Sequence, residues 1–201
     1  MKPVNYTPAD RSLKGTETLK NLVASYAAES MAYSRYTFYA AQADKEGYHE
    51  VASVFAETAA NELHHSKVFF KYLEDGAEVP VGLSIPAGVI GNTSDNLLQA
   101  SQEEESEGVV AYTNAAAKAR EEDFPDVAAH FEAIASIEMR HKKRFDLLRK
   151  LVDSGTMWKR EKPIKWQCSV CGYIYEGVEP PKLCPACNHP YQYYRPEETD
   201  Y

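Results

Sequence analysis

The 201-residue chain predicts an all-α four-helix bundle with one long crossover, followed by a small C-terminal β/loop domain that carries every cysteine. Three features predict it: four long stretches with apolar residues at helical spacing, connections of unequal length between them, and two C-x-x-C pairs confined to Cys168–Cys187.

The first helix is expected from about Thr16 to Lys45, stopped at Gly47, and the second from about His49 to Asp75, stopped at Gly76. Glycine takes the left-handed turn after a helix at least cost. The third begins at Ser94, a good N-cap type, and runs to about Glu122; the fourth starts at Pro125, which suits a first turn, and ends near Val152 before Ser154-Gly155. At ~1.5 Å per residue each is roughly 40 Å long, the length of a bundle helix. Only a few residues separate the first helix from the second and the third from the fourth, so each pair is an antiparallel hairpin. The stretch GAEVPVGLSIPAGVIGNT, from Gly76 to Thr93, spans up to ~60 Å when extended at ~3.3 Å per residue, enough to run the length of the bundle. One such crossover is the ferritin-like arrangement. The domains are then a lead at 1–15, the bundle at 16–153, a linker at 154–164 and the cysteine domain at 165–201.

Composition removes whole classes of function. With 44% hydrophobic and 26% charged residues the chain is an ordinary globular protein, neither disordered nor fibrous. No apolar run approaches the ~18 residues of a membrane span, and MKPVNYTPADRSLKG lacks the apolar core of a secretion signal, so a cytoplasmic address is expected. A formal charge of −8 without a basic, aromatic-interleaved stripe argues against nucleic acid.

An internal repeat organises the bundle. A shift of 76 residues lays the second helix on the fourth without a gap: Val51 on Val127, Phe55 on Phe131, Glu62 on Glu138, His65 on His141 and Phe69 on Phe145. Two hairpins about a pseudo-twofold axis follow. The second helix's seam reads Val51, Phe55, Thr58, Glu62, His65, Phe69, Tyr72, and the fourth's Val127, Phe131, Ile134, Glu138, His141, Phe145, Leu148, both stepping by three and four as a core-facing stripe does. The first helix offers Leu22, Tyr26, Glu29, Tyr33, Tyr36, Ala40.

Taken singly, a seam glutamate more often snorkels to water and a core histidine is usually a satisfied hydrogen bonder. Their joint occurrence reverses that. An unpaired buried carboxylate costs several kcal/mol, and several at one level repel one another unless they share cations. Glu-x-x-His on two helices plus a Glu from each of the others is the di-metal carboxylate pattern of such bundles, and oxygen-rich ligation with two imidazoles suits iron or manganese. The third helix supplies its share from SQEEESEGVVAY, where Glu104 and Glu107 lie on one face. Under the 76-residue shift Tyr36 meets Tyr112 but Glu29 meets Glu105, one residue from Glu104. If Glu104 is the partner of Glu29, the third helix holds one extra residue, which a π-bulge between Glu104 and Tyr112 absorbs.

Cys168-x-x-Cys171 and Cys184-x-x-Cys187, twelve residues apart, form the two knuckles of a tetrahedral thiolate site. Spacing leaves zinc and iron both open; a redox-active metal pair upstream, which needs electrons, favours iron.

The stretches AAESMAYSRY, ETAANELHHSK, EEESEGVVAY, IEMRHKKRF and CSVCGY…CPAC resemble those of the rubrerythrins, in which a ferritin-like di-iron domain precedes a rubredoxin-like one, and the likeness covers nearly the whole chain. The resemblance implies two oxo-bridged irons in the bundle and one iron held by Cys168, Cys171, Cys184 and Cys187. It implies bridging roles for Glu62 and Glu138, a terminal role for Glu29 on one iron, and Glu104 with His141 on the other. Glu107 matches the family's extra carboxylate, and His65 the histidine that changes places with it on oxidation. Tyr36 and Tyr112 match tyrosines that hydrogen-bond the carboxylates, so Glu107, His65, Tyr36 and Tyr112 are the expected catalytic set. Val110 departs from the pattern, standing where many members are acidic, and the lead is longer than usual. The implied activity is reduction of hydrogen peroxide to water in oxidative-stress protection. Electrons would come from a rubredoxin or an NAD(P)H-dependent reductase through the rubredoxin-like centre, in a head-to-tail homodimer or higher homo-oligomer. A ferroxidase or iron-storage protein, and a zinc-ribbon scaffold, are the competing expectations.

Overall fold

The computed structural model describes residues 11–73, 76, 78–82 and 88–197. The outer part of the lead and the last residues of the chain lie outside them, as does the Glu107 side chain.

Helix α1 runs Glu17–Lys45 and opens on Thr16, whose hydroxyl accepts the Leu19 N–H at 3.1 Å. After a left-handed Gly47, α2 runs His49–Phe70. It ends earlier than the expected Asp75, which lies outside the described residues. The chain tightens into i→i−3 bonds, Tyr72 N–H to Phe69 and Leu73 N–H to Phe70, and this turn keeps Tyr72 buried. Helix α3, Thr93–Glu103, is capped by Asn92 rather than the expected Ser94: the Asn92 side chain accepts the Asp95 N–H at 2.9 Å, while Asn96 closes back on Gly91. A seven-residue π-helical segment, Glu104–Val110, follows, then α4, Ala111–Glu121, and α5, Pro125–Asp153. The extra residue inferred from the repeat therefore sits between Glu104 and Tyr112.

Every seam residue expected of α2 and α5 is buried. On α1 the seam drifts, because an unsupercoiled helix gains about 20° per heptad on a 3.5-residue stripe. Tyr33 turns out to solvent and Tyr39 and Ala43 take the inner face.

The core divides into two aromatic plugs. Tyr36, Phe55 and Phe145 form one, with centroids 5.0–6.0 Å apart, and Tyr112, Phe131 and Phe69 form the other, at 5.1–5.7 Å. The repeat exchanges them residue for residue. Each fully buried ring contributes about 2–3 kcal/mol, which helps offset the polar layer held between the plugs.

The cysteine domain is a three-stranded antiparallel sheet, order β2-β1-β3, from β1 Ile164–Cys168, β2 Ile174–Gly177 and β3 Tyr194–Pro196. Trp166 is wholly buried under it and donates its indole N–H to Gly177 O at 2.9 Å. Residues 154–164 are packed: Met157 is buried, and Trp158 stacks on Tyr48 at 5.6 Å. His49 stacks on Tyr193 at 3.8 Å, so the domain lies against the α1–α2 turn.

Candidate metal centres

Between the two plugs the bundle places four carboxylates and two imidazoles, all buried, in one polar layer. Ligand atoms of Glu29, Glu62, His65 and Glu138 lie within 4.8 Å of one another, and so do those of Glu62, Glu104, Glu138 and His141. Glu62 and Glu138 belong to both groups. His65 Nδ1 stands 2.8 Å from Glu62 Oε2 and 3.0 Å from Glu138 Oε1; His141 Nδ1 stands 2.8 Å from Glu138 Oε2 and 3.1 Å from Glu62 Oε1. One ring N–H serves one acceptor, so the crowding leaves Glu62 Oε1 and Glu138 Oε1 buried without a well-formed hydrogen bond. Two orphaned oxygens facing two convergent nitrogens are what a pair of cations would satisfy, and the donor set fits iron.

Electrostatics agree. Burial, then the charges of Glu62 and Glu138, raise the Glu29 carboxyl well above its ordinary value in spite of the Tyr112 hydrogen bond. Burial likewise raises Glu104 against the opposing His141 bond. Burial would lower both imidazoles, but hydrogen bonds to the surrounding carboxylates raise His65 to about 9 and His141 to about 12. Burial would raise Glu138, yet its bonds with His141 and His65 bring it to about 2. Without metal the layer holds protons, and metal binding must expel them.

The tyrosines brace the layer crosswise. Tyr36 donates to Glu104 Oε1 at 2.8 Å and Tyr112 to Glu29 Oε1 at 2.5 Å, each reaching the carboxylate of the other hairpin. Burial, then the partner carboxylate, raises both phenols well above 10, so both remain donors.

Sequence reasoning missed Gly108. A Cβ there would stand 2.6 Å from Glu138 Cβ and Cγ, so only glycine lets the π segment approach α5 this closely. Its signal was an unexplained glycine inside a long helix, where it costs about 1 kcal/mol against alanine. The segment borders a cavity of about 30 Å³ lined by Ala28, Ala32, Arg35, Glu104 and Gly108 among others.

The four cysteines also converge within 4.8 Å, with Cys168–Cys187 sulfurs at 3.8 Å and Cys171–Cys184 at 3.6 Å. Each C-x-x-C closes on a left-handed residue, Gly172 (φ 79°) and Asn188 (φ 59°), whose N–H returns to the first cysteine's carbonyl at 2.8 and 2.9 Å. Cys168 and Cys184 are buried and Cys171 is exposed, so a bound metal would have one edge open to partners.

Residues 20–89 and 96–165 match the rubrerythrin family, and residues 166–195 match the rubrerythrin rubredoxin-like domain. The chain belongs to the rubrerythrin family. It is 44% identical over 195 residues to the rubrerythrin of Porphyromonas gingivalis, covering 97% of each chain. To that of Nitratidesulfovibrio vulgaris it is 41% identical over 180 residues, 90% of this chain and 94% of the other. Among solved structures it superposes on fully reduced, all-ferrous nigerythrin with a TM-score of 0.62 at 27% identity, over 98% of this chain and 95% of the other. A rubrerythrin carries a di-iron centre and a rubredoxin-like iron, and the two clusters described above fit them. The protein is thus a di-iron oxidoreductase of the oxidative-stress class, of a family that works with rubredoxin-type redox partners and often forms oligomers. Among the described residues no helix is long and apolar enough to cross a membrane.

Proposed function

We propose that this rubrerythrin is a peroxidase that reduces hydrogen peroxide to water in the cytoplasm, drawing electrons through its four-cysteine iron from a rubredoxin or an NAD(P)H-dependent reductase. The observation that carries this is the small cavity among the carboxylates, lined by Glu29, Glu62, Glu104 and Glu138. A space of about 30 Å³ at the ligands themselves supports a reading in which a molecule as small as peroxide reaches the layer.

The reaction consumes one peroxide, two electrons and two protons and yields two waters. Iron held by Glu29, Glu62, Glu104, Glu138, His65 and His141 would supply the electron pair when bound, one electron from each metal. The chain does the rest. Tyr36 and Tyr112 hold Glu104 and Glu29 in place by donating to them, and the aromatic plugs keep water out above and below. Glu107, on the π segment, would join the ligand set in exchange with His65 when the metals are oxidised, since a carboxylate suits the harder ferric ion.

The cysteine domain meets the start of α2 through the Tyr193–His49 stack, while Glu62 lies thirteen residues further along that helix, about 20 Å at 1.5 Å per residue. That separation supports electron delivery between subunits of a head-to-tail dimer.

Stopped-flow oxidation of the all-ferrous protein tests the reading. Hydrogen peroxide should oxidise it at least tenfold faster than dioxygen at equal concentration, and Cys171→Ser should abolish steady-state turnover with a rubredoxin donor while two irons stay bound in the bundle. Oxidation by dioxygen with no peroxide consumed would point to the ferroxidase or iron-storage alternative instead.

A further inference from the structure

Among the described residues, Arg35 alone lines both the small cavity among the carboxylates and a second, outer cavity of about 320 Å³. The outer one lies between α1 and the end of the crossover and is mostly apolar, with Met31, Phe38, Val89 and Ile90 in its walls. Arg35 Nη1 donates to Glu103 Oε1 at 2.5 Å, and Gln99 Nε2 supports the same oxygen at 3.1 Å. Both charged side chains are nearly buried, 11% and 12% exposed. Gly88 closes over the arginine: a Cβ there would meet Arg35 Cδ at 3.6 Å. Arg35 Nε is buried with no hydrogen-bond partner.

A buried donor left unpaired costs about 1–3 kcal/mol, and a buried ion pair adds little stability over apolar residues of the same volume. Packing alone would favour an aliphatic side chain at Arg35. We infer that the Arg35–Glu103 pair is a door between the outer and inner cavities, and that it confines the site to hydrogen peroxide by excluding alkyl hydroperoxides. Peroxide is small, uncharged and able to accept from Arg35 Nε as it passes. An alkyl hydroperoxide could lodge its tail among Met31, Phe38 and Ile90, but its O–O group stops at the arginine. With the door removed, such a substrate would reach the carboxylate layer. Its O–O bond would then break with the same two electrons from the rubredoxin-type donor and two protons, giving one alcohol and one water.

The inference rests on the peroxidase reading, and its test separates the two. Removing Arg35 alone would take from the nearly buried Glu103 its cationic partner, so the variant is Arg35→Ala/Glu103→Ala, with Arg35→Lys, which keeps the charge on a thinner head, as the milder one. The first measurement is the ratio of kcat/KM for cumene hydroperoxide to that for hydrogen peroxide, on protein shown to be helical and to hold two irons in the bundle. It should rise at least tenfold in the double variant and about threefold with lysine. The second is a crystal soak with tert-butanol, which should place its hydroxyl beside Glu104 and Gly108 in the double variant and stay in the outer cavity in the parent. A ratio within twofold of the parent in both variants, with tert-butanol excluded from the inner cavity of each, overturns the door. If the parent turns over neither peroxide, the peroxidase reading falls and the position of tert-butanol alone decides the door.

Discussion

The two hairpins of the bundle carry the same ligands by different means. In the first, α1 is regular throughout and presents Glu29 from an uninterrupted helix. In the second, the matching helix changes register: Thr18 and Glu29 pair with Thr93 and Glu104 at an offset of 75, whereas Tyr36 and Glu46 pair with Tyr112 and Glu122 at 76. The π segment between Glu104 and Val110 absorbs the difference. The symmetry of the metal layer is thus kept while one side of it is deformed. A residue inserted beside the site is tolerated because the ligands and the braces on either side of it remain in phase.

The sharpest way to break that comparison is at Gly108, whose counterpart in α1 is Ala32. Gly108→Ala must push the π segment off Glu138. Overpacking of this kind costs about 1–3 kcal/mol, and the displaced carboxylate should lose at least one bundle iron per chain, read by metal analysis and urea unfolding. Ala32→Gly should cost only about 1 kcal/mol and keep both irons, because α1 makes no such approach. Equal iron loss in the two variants would mean that the segment's geometry has no bearing on the site.

The hairpins also cap one another. Glu46, after α1, accepts the Thr93 N–H and hydroxyl at 3.0 and 2.6 Å, and Glu122, after α4, accepts the Thr18 N–H and hydroxyl at 2.8 and 2.6 Å. Burial would raise both carboxyls, but these hydrogen bonds outweigh it and lower them below 4.5. A lowered value stabilises the fold above the ordinary carboxylate range and stops doing so as pH falls through the folded-state value. Glu46→Gln and Glu122→Gln should each therefore lower stability by about 0.5–1 kcal/mol at pH 7, solvent screening included, with the deficit shrinking as pH falls below the ordinary carboxylate range in pH-dependent thermal melts. A deficit that stays constant across that range would assign the effect to packing.

The smallest difference lies in the turns. Gly47 and Asp123 occupy equivalent left-handed positions, φ 83° and 66°. Only the first is strain-free, since an L side chain there costs about 1–2 kcal/mol. Asp123 also pairs with Arg11. Asp123→Gly should raise stability by about 0.5 kcal/mol in denaturant unfolding, after the loss of that exposed pair and the greater freedom of an unfolded glycine. A stability loss would show that the ion pair outweighs the strain.

Much of the site is legible in residue spacing alone. Glu62, His65, Glu138 and His141 lie on helices whose three-and-four spacing leaves a single face for the core, and an unbroken repeat aligns them pairwise. The register slip between Glu104 and Tyr112 announces an extra residue as well. Other features are not legible there. The end of α2 at Phe70, the cap at Asn92 and the outward turn of Tyr33 depend on which side chain a neighbouring element leaves room for, and local propensity does not report that. Nor can Arg35 and Glu103 be singled out. In the sequence they are one arginine in an aromatic-rich stretch and one of three consecutive glutamates, and their opposition across two helices exists only once α1 and α3 pack together.

The sequence by itself determined the bundle, its single crossover, its internal twofold and the chemistry of both metal clusters, because periodicity, spacing and ligand type are properties of the chain alone. The tertiary structure decided which tyrosine braces which carboxylate, how near the π segment comes to Glu138, and where two cavities meet at an arginine. Those outcomes depend on distances of a few ångströms between residues 30 to 83 positions apart, and close packing of whole helices sets such distances.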